Sequence, residues 1–454
     1  MAGQAVEVEA GRTEVASPAP EHDQISRDRL RPVPAAPAGI VPAPIAPATL
    51  PASRGGIFSS LGRYPTYRRL WFGSMAASLG QWMQQVALGW LALSLTDSPA
   101  FVGTVGFAAG LPFLVIAIPV GVVIDRFDRR HVLLVCQALA ALVALVASAV
   151  VITGIVEPWH LLVIAFVTGS LQATMLPTQQ SLVPSLVERE DLTNAIGTNS
   201  AGQNLTRVVG PSITGVVIGL AGVGAAFVLQ AITLVLAFAL VWTVTIPARV
   251  PRSAASPKGV FEGVRLIRRR ADLRALFLLA AIPTFFVFPY IQFLTVYARD
   301  ILEIGPGGLG ILLACSGSGA VVGSLLVAAR RQMTAPGAGR PLAVMTVAYG
   351  LVVAGFAVSP TVLLSFPLLF LAGMLGAGYM SANNAIIQLR VDDDVRGRVM
   401  AAYLLTMGLM PLGALPMGYV ADGAGTPTAV FTGAVVSSGL AAVLGLRSRG
   451  LRAL

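Results

Sequence analysis

Gly121-Val122-Val123-Ile124-Asp125-Arg126-Phe127-Asp128-Arg129-Arg130 is the stretch from which the architecture of this 454-residue chain can be worked out. An apolar run, 100–124, ends at Ile124, and another, 132–154, begins two residues after Arg130. Each run is long enough to cross about 30 Å of hydrocarbon, which takes roughly 20 residues. The five charged side chains between them cannot be left in lipid, so the loop lies at a membrane face. Two spans joined by a short charged loop form a hairpin.

Working outward, the same alternation continues. Apolar runs occur at 70–94, 100–124, 132–154, 159–183, 195–220 and 223–246, then at 275–297, 307–329, 342–358, 361–387, 399–421 and 426–446. The breaks carry turn or charge signals such as Asp97-Ser98-Pro99 and Ser359-Pro360. The composition agrees, with 55% hydrophobic and 11% charged residues and a mean hydropathy of +0.78. Soluble domains carry about 25% charge. The expected fold is therefore all-α and integral to the membrane, with twelve transmembrane helices.

The net charge of +10 would suggest nucleic acid in a soluble protein, but here it reads as topology. With the N-terminus placed in the cytoplasm, every Lys and Arg except Arg299 and Arg207 falls in the tails or cytoplasmic loops. The positive-inside rule then puts both termini in the cytoplasm of a multi-pass plasma-membrane protein. Residues 1–60 are rich in Pro and Ala, with no signal peptide, and are expected to be a disordered tail. The segment 247–273 carries Val260, Phe261, Val264 and Ile267 among Arg265, Arg268, Arg269 and Arg270. That spacing predicts an amphipathic helix on the membrane surface.

Shifting the chain on itself by 204 residues superposes Gly103 and Gly106 on Gly307 and Gly310, and Arg126 on Arg330. The same shift places Gln179-Gln180 on Asn383-Asn384 and Val187-Glu188 on Val391-Asp392. One offset serving several places predicts two pseudo-symmetric six-helix bundles, 61–246 and 274–446, flanking the 247–273 linker and followed by a cytoplasmic tail, 447–454.

Gly121, Asp125, Arg126, Arg129 and Arg130 resemble the signature loop between the second and third helices of the major facilitator superfamily. The resemblance implies that Asp125 sits against the start of the eleventh helix, near Arg396-Gly397-Arg398, and locks a gate. Asp128 stands where that family usually has a glycine. In the fifth span, Gly197, Gly210-Pro211 and Gly215 are similar to the antiporter motif, with Thr206 and Thr214 replacing two glycines. A Gly-Pro pair predicts a kink there, and small residues permit close packing.

Ser78-Leu79-Gly80-Gln81-Trp82-Met83-Gln84-Gln85 and Asn204-Leu205-Thr206-Arg207-Val208-Val209-Gly210-Pro211 resemble the drug:proton antiporter branch that includes the enterobactin exporter and macrolide efflux proteins. Over residues 58–446 the resemblance implies a monomer exporting a hydrophobic or amphiphilic small molecule, with protons as the coupling ion. A carrier dedicated to one metabolite, such as a siderophore, importing or exporting it with other or no ion coupling, is the alternative. Cargo would bind near the midplane on helices 1, 4, 7 and 10. The polar and aromatic residues there are Gln81, Gln84, Gln85, Gln172, Met175, Phe285, Phe286, Tyr290, Gln292, Tyr379, Asn383 and Asn384. Amides, aromatics and methionine suit a loosely recognised amphiphile, or join helix to helix.

Arg207 is the basic residue that topology leaves over. At mid-span an Arg costs about 2.5–3.5 kcal/mol on insertion scales. All acidic residues assign to loops, tails or span ends, with Asp97, Glu157 and Asp422 on the face opposite the termini. Arg207 therefore either lines a cavity for an anionic cargo or binds carbonyls and glutamines as structural glue. Helix 4 lacks a basic residue, so proton coupling rests on the resemblance alone. Other classes are poorly served. The histidines His22, His131 and His160 lie in the tail or near span ends, so no catalytic or metal constellation and no cofactor is expected. Lys258 is the sole lysine and opens no phosphate loop. Cys136 and Cys315 sit in separate apolar runs and are expected to stay unpaired.

Overall fold

The computed structural model describes residues 58–115, 127–188, 190–245, 257–329 and 337–452, and every regular element among them is helical. A short α1 (Ser59–Arg63) leads into α2 (Pro65–Thr96), α3 (Pro99–Val115), α4 (Arg129–Ile152), α5 (Pro158–Leu186) and α6 (Leu192–Trp242). Next come α7 (Pro257–Arg269), α8 (Ala271–Phe286), α9 (Tyr290–Val296), α10 (Gly305–Ala329) and α11 (Gly339–Ala357). The chain closes with α12 (Val362–Arg390), α13 (Asp393–Leu404), α14 (Leu409–Ala424), α15 (Thr426–Arg447) and the turn α16 (Arg449–Arg452). Among the described residues nine helical segments are long and apolar enough to cross a membrane.

The surface explains why a bilayer is needed. On α4 the side chains of Val135, Leu139, Leu142, Leu145 and Val146 are about half exposed. They follow one another at helical spacing, while Leu133, Cys136, Ala140 and Ala144 turn inward. An apolar stripe of this length facing water would drive association. Facing lipid it costs nothing.

With 51 residues, α6 would be about 76 Å long if straight, more than twice the hydrocarbon thickness. It is not straight. Gly222 has φ 79° and ψ 173°, a conformation open only to glycine, and the chain reverses there. Both arms then flank α2. Trp71 Nε1 donates to the Thr198 carbonyl of the first arm at 3.1 Å, while Gly73 lies against Ala237 and Val241 of the second. Gly210-Pro211, where the sequence predicts a kink, keeps helical torsions, and within α6 the backbone leaves the helical region at Gly222. Pro211 removes one amide donor without breaking the helix, because its fixed φ is already helical.

Two further departures concern the seventh and eleventh spans. The run 275–297 is divided at Val287–Pro289, with a π turn at Tyr297–Ile301. The run 399–421 is divided by a 3₁₀ turn at Leu405–Gly408. The amphipathic linker helix exists as α7, but it is not simply laid on lipid. Ile267 is buried, Gly263 abuts the backbone of Arg398, and Arg398 Nη1 lies 2.8 Å from Glu262 Oε2. α7 thus docks on α13.

Packing sorts the helices into neighbours. α2 and α4 pack on α6, α5 packs on α3 and α4, and α10 packs on α12 as α11 does on α15. Among the described residues the most extensive crossings from early helices to late ones are α3 with α14 and α6 with α10. Glycines make both possible. A Cβ on Gly103 would lie 2.6 Å from the Ala414 carbonyl oxygen, and one on Gly310 would lie 2.9 Å from that of Pro211. Gly215 likewise has no room for a side chain against Pro306. Cys136 and Cys315 are both free thiols.

Candidate functional site

The end of the molecule bearing the α2–α3 turn is stitched by charge. Thr96 ends α2, and Asp97 adopts φ 49°, which turns the chain into α3. Asp97 Oδ1 lies 2.8 Å from Arg299 Nη2, and Arg299 Nη1 also donates to the Leu93 carbonyl at 2.7 Å. Asp300 holds Arg299 from the other side at 2.5 Å. Nearby, Asp422 on α14 accepts from the Ser98 hydroxyl at 2.8 Å and from the Ala100 amide at 3.4 Å, capping the start of α3. Asp97 is 82% exposed, so its pair with Arg299 is worth about 0–1 kcal/mol.

Deeper in, the candidate cargo residues fall into two sets. Gln84 is used up, its Nε2 donating to Thr168 Oγ1 on α5 while its Oε1 accepts from Gln230 Nε2 on the second arm of α6 at 2.8 Å. Met175 is 3% exposed, in a cluster with Leu133, Leu134 and Leu182. Tyr290 is buried with its hydroxyl 3.3 Å from Ser316 Oγ. Tyr379 and Asn383 have no exposed surface, and Asn383 Nδ2 donates to the Leu276 carbonyl at 3.2 Å. In this conformation these five serve helix packing.

The other set keeps open surface, whereas in the first set Tyr379 Oη and Asn383 Oδ1 are left unpartnered but fully buried. Gln81 and Gln85 are exposed one helical turn apart, on the side of α2 away from exposed Phe72. Gln172 and Phe286 are half-buried, Phe286 in edge-to-face contact with Phe285 at 4.9 Å. Gln292 is half-buried against Gly106, and its Oε1 has no hydrogen-bond partner. Asn384 is tied to Gln388 of its own helix at 2.5 Å.

Arg207 shares with this second set a side chain that is not fully buried. On α6, Leu205, Ile213, Val216 and Leu220 form the exposed apolar face, and Arg207 projects from the opposite one. It is half-buried, with its guanidinium 5.8 Å from the ring centre of Trp82. The titratable side chains within its electrostatic reach are the phenols of Tyr290 and Tyr349. No carboxylate pairs with it and no hydrogen bond holds it among the described residues. Leu192 and Gly222 each lie fifteen residues away, about 22 Å of helix in either direction. Pro211 also leaves the Arg207 carbonyl without its helical donor, so the polarity at this level is doubled.

At the other end, Asp191 is buried at the start of α6 and accepts from Arg63 Nη1 at 2.6 Å and Tyr64 Oη at 3.0 Å. Burial, reinforced by that carboxylate, raises the Tyr64 phenol above its usual pKa. Of the loop motif, Gly121, Asp125 and Arg126 lie outside the described residues. Asp128 accepts from the His131 amide at 3.0 Å and caps α4, which gives a physical reason for an acid where the family has glycine. Arg129 reaches the Ser181 carbonyl at 3.3 Å, and Arg130 binds the Trp242 carbonyl and stacks over its ring at 5.8 Å.

Sequence reasoning missed the Asp97–Arg299 and Asp422–Ser98 contacts, although Arg299 was already conspicuous as the lone base on its side. It also missed Gln137, fully buried on α4 with neither amide atom partnered. Among the described residues no cluster of three or more His, Cys, Asp or Glu could hold a metal ion.

Helices apolar and long enough to cross a bilayer, packed through glycine-lined crossings around polar side chains, are the framework of a multi-pass membrane protein. Residues 57–452 match the model of the transmembrane secretion effector family, and the chain belongs to that family of the major facilitator superfamily. It is 23% identical over 349 residues to the staphyloferrin A transporter of Staphylococcus aureus, covering 76% of this chain and 86% of that one. It is 27% identical over 366 residues to the multidrug efflux pump Tap of Mycolicibacterium fortuitum (78% and 88%). With macrolide efflux protein A of Streptococcus pyogenes the figures are 22% over 262 residues (57% and 65%). The fold is similar to the crystal structure of a bacterial homologue of the human lysosomal transporter Spinster, with TM-score 0.68 and 16% identity, covering 85% of this chain and 98% of that one.

Proposed function

We propose that the chain is a secondary active exporter of a hydrophobic or amphiphilic small molecule, working by alternating access with proton antiport. The observation that carries this reading is the unsatisfied polar surface of Gln81, Gln85 and Arg207, set between helix groups that are clasped at the Asp97–Arg299 end. Polar groups at that depth are costly unless they serve a pore or ligand. Relatives that carry a siderophore, macrolides or multiple drugs support a small-molecule cargo.

The architecture in this reading has twelve spans in two bundles. Nine helical segments qualify by length and hydropathy, and α6 counts twice because it folds back at Gly222. The two remaining spans are α3, whose described part is short, and α2, whose three glutamines dilute its hydropathy. The charge distribution places both termini in the cytoplasm of a plasma-membrane monomer, so the Asp97–Arg299 end faces outward. A carrier that loads from the cytoplasm must be able to close there. Gly121, Asp125 and Arg126 are assigned to that closure by their likeness to the superfamily's gating loop.

Inverted membrane vesicles holding the full chain, challenged with a panel of diverse amphiphiles, test the reading. Accumulation of panel members is expected, and dissipating the proton gradient should abolish it. Accumulation that survives without the gradient removes proton antiport. No accumulation of any member removes the exporter.

A further inference from the structure

We propose that Arg207, with the Trp82 ring beneath it and the free amides of Gln81 and Gln85 on the helix that bears Trp82, is a subsite for an anionic group. The cargo is then an amphiphile bearing a carboxylate or a similar oxyanion. The inference rests on the transport reading above and narrows its cargo.

Three observations carry it. First, the guanidinium remains charged, since arginine does not deprotonate in proteins, yet no acid offsets it among the described residues. The structural alternative, in which Arg207 ties carbonyls or glutamines together, requires hydrogen bonds that the described residues do not supply. Second, its surroundings suit a ligand with a charged head and an apolar body. Trp82 holds one face of the guanidinium at 5.8 Å, within the range of a cation–π contact, and leaves its N–H edge to meet two oxygens side by side. Third, the amides with unused donors, Gln81 and Gln85, repeat on one face of the helix that bears Trp82. They can donate to the same oxyanion while tolerating varied bodies.

A matched series separates charge from hydrophobicity: 1-pyrenebutyrate, 1-pyrenebutanol and a pyrenebutyl trimethylammonium salt, which share one apolar body. Binding to the full chain in nanodiscs is read by energy transfer from tryptophan to pyrene. The butyrate is expected to bind at least tenfold more tightly than the alcohol, with the ammonium weakest. Arg207→Gln should bring the butyrate to the affinity of the alcohol and leave the alcohol unchanged, and Arg207→Lys should keep part of the preference. Retained preference in a folded Arg207→Gln protein overturns the proposal, as does equal binding of all three, or binding of none, by the unaltered chain. Should Arg207→Gln fail to fold, the Arg207→Lys protein and the charge series on the unaltered chain decide alone. Accumulation in inverted vesicles, run on the same series, keeps the two claims apart. Transport without charge preference defeats the subsite and spares the exporter, whereas charge-selective binding without transport does the reverse.

Discussion

Gly103 and Gly307 occupy matching positions in the 204-residue register, yet their surroundings differ. A Cβ on Gly103 would sit 2.6 Å from the Ala414 oxygen and 3.2 Å from the Gly418 Cα, both backbone atoms that cannot swing aside. A Cβ on Gly307 would meet nothing within 4 Å beyond its chain neighbours and its own helix backbone. Overpacking a tight contact costs about 1–3 kcal/mol. Gly103→Val is therefore expected to lower thermal stability and impair efflux, while Gly307→Val leaves both near their starting values. Equal effects would mean that the α3–α14 crossing is not as tight as described. Arg207 was legible in the sequence because topology accounted for nearly every other basic residue. The burial of Met175, Tyr290, Tyr379 and Asn383 was not legible, since periodicity gives a helix face but not the neighbour that covers it.

Among the elements, the hairpin of α6 turns on one residue. The φ and ψ of Gly222 lie in a region that costs a residue with a Cβ about 1–3 kcal/mol. Gly222→Ala is expected to destabilise the protein by about that amount in denaturant titration, although nothing lies within 4 Å of the added carbon. A neutral result would show that the turn relaxes freely. The ends of most spans followed from hydropathy and charge, as with α4, read as 132–154 and found at Arg129–Ile152. The divisions of the seventh and eleventh spans did not follow, because Val287–Pro289 and Leu405–Gly408 are apolar and leave no mark in hydropathy. The docking of α7 on α13 was hidden for a related reason. An amphipathic helix reads the same whether its apolar side meets lipid or protein.

At the level of the whole molecule, the proposed export cycle opens the end that Asp97, Arg299 and Asp422 hold together, and weakening those contacts should ease the opening. Removing the ion pair with Asp97→Ala and Arg299→Ala together is expected to shift the population toward outward opening. The readout is labelling of a Gln81→Cys probe by a membrane-impermeant thiol reagent applied from outside, which should rise several-fold. Unchanged labelling would place the closure in the glycine crossings instead.

Arg207 has one more consequence, and it concerns voltage. A permanent positive charge at mid-depth feels whichever aqueous side its chamber is open to, and the transmembrane potential contributes about 2.3 kcal/mol per elementary charge per 100 mV. On the proposed export cycle, in a cell with a negative interior, the empty carrier would be drawn toward its inward-open shape, ready to load. Neutralisation of the charge by the proposed anionic cargo would remove that bias and let the loaded carrier turn outward unopposed. A single arginine without a counterion would thus make the resting potential a driving force for the return step of the cycle.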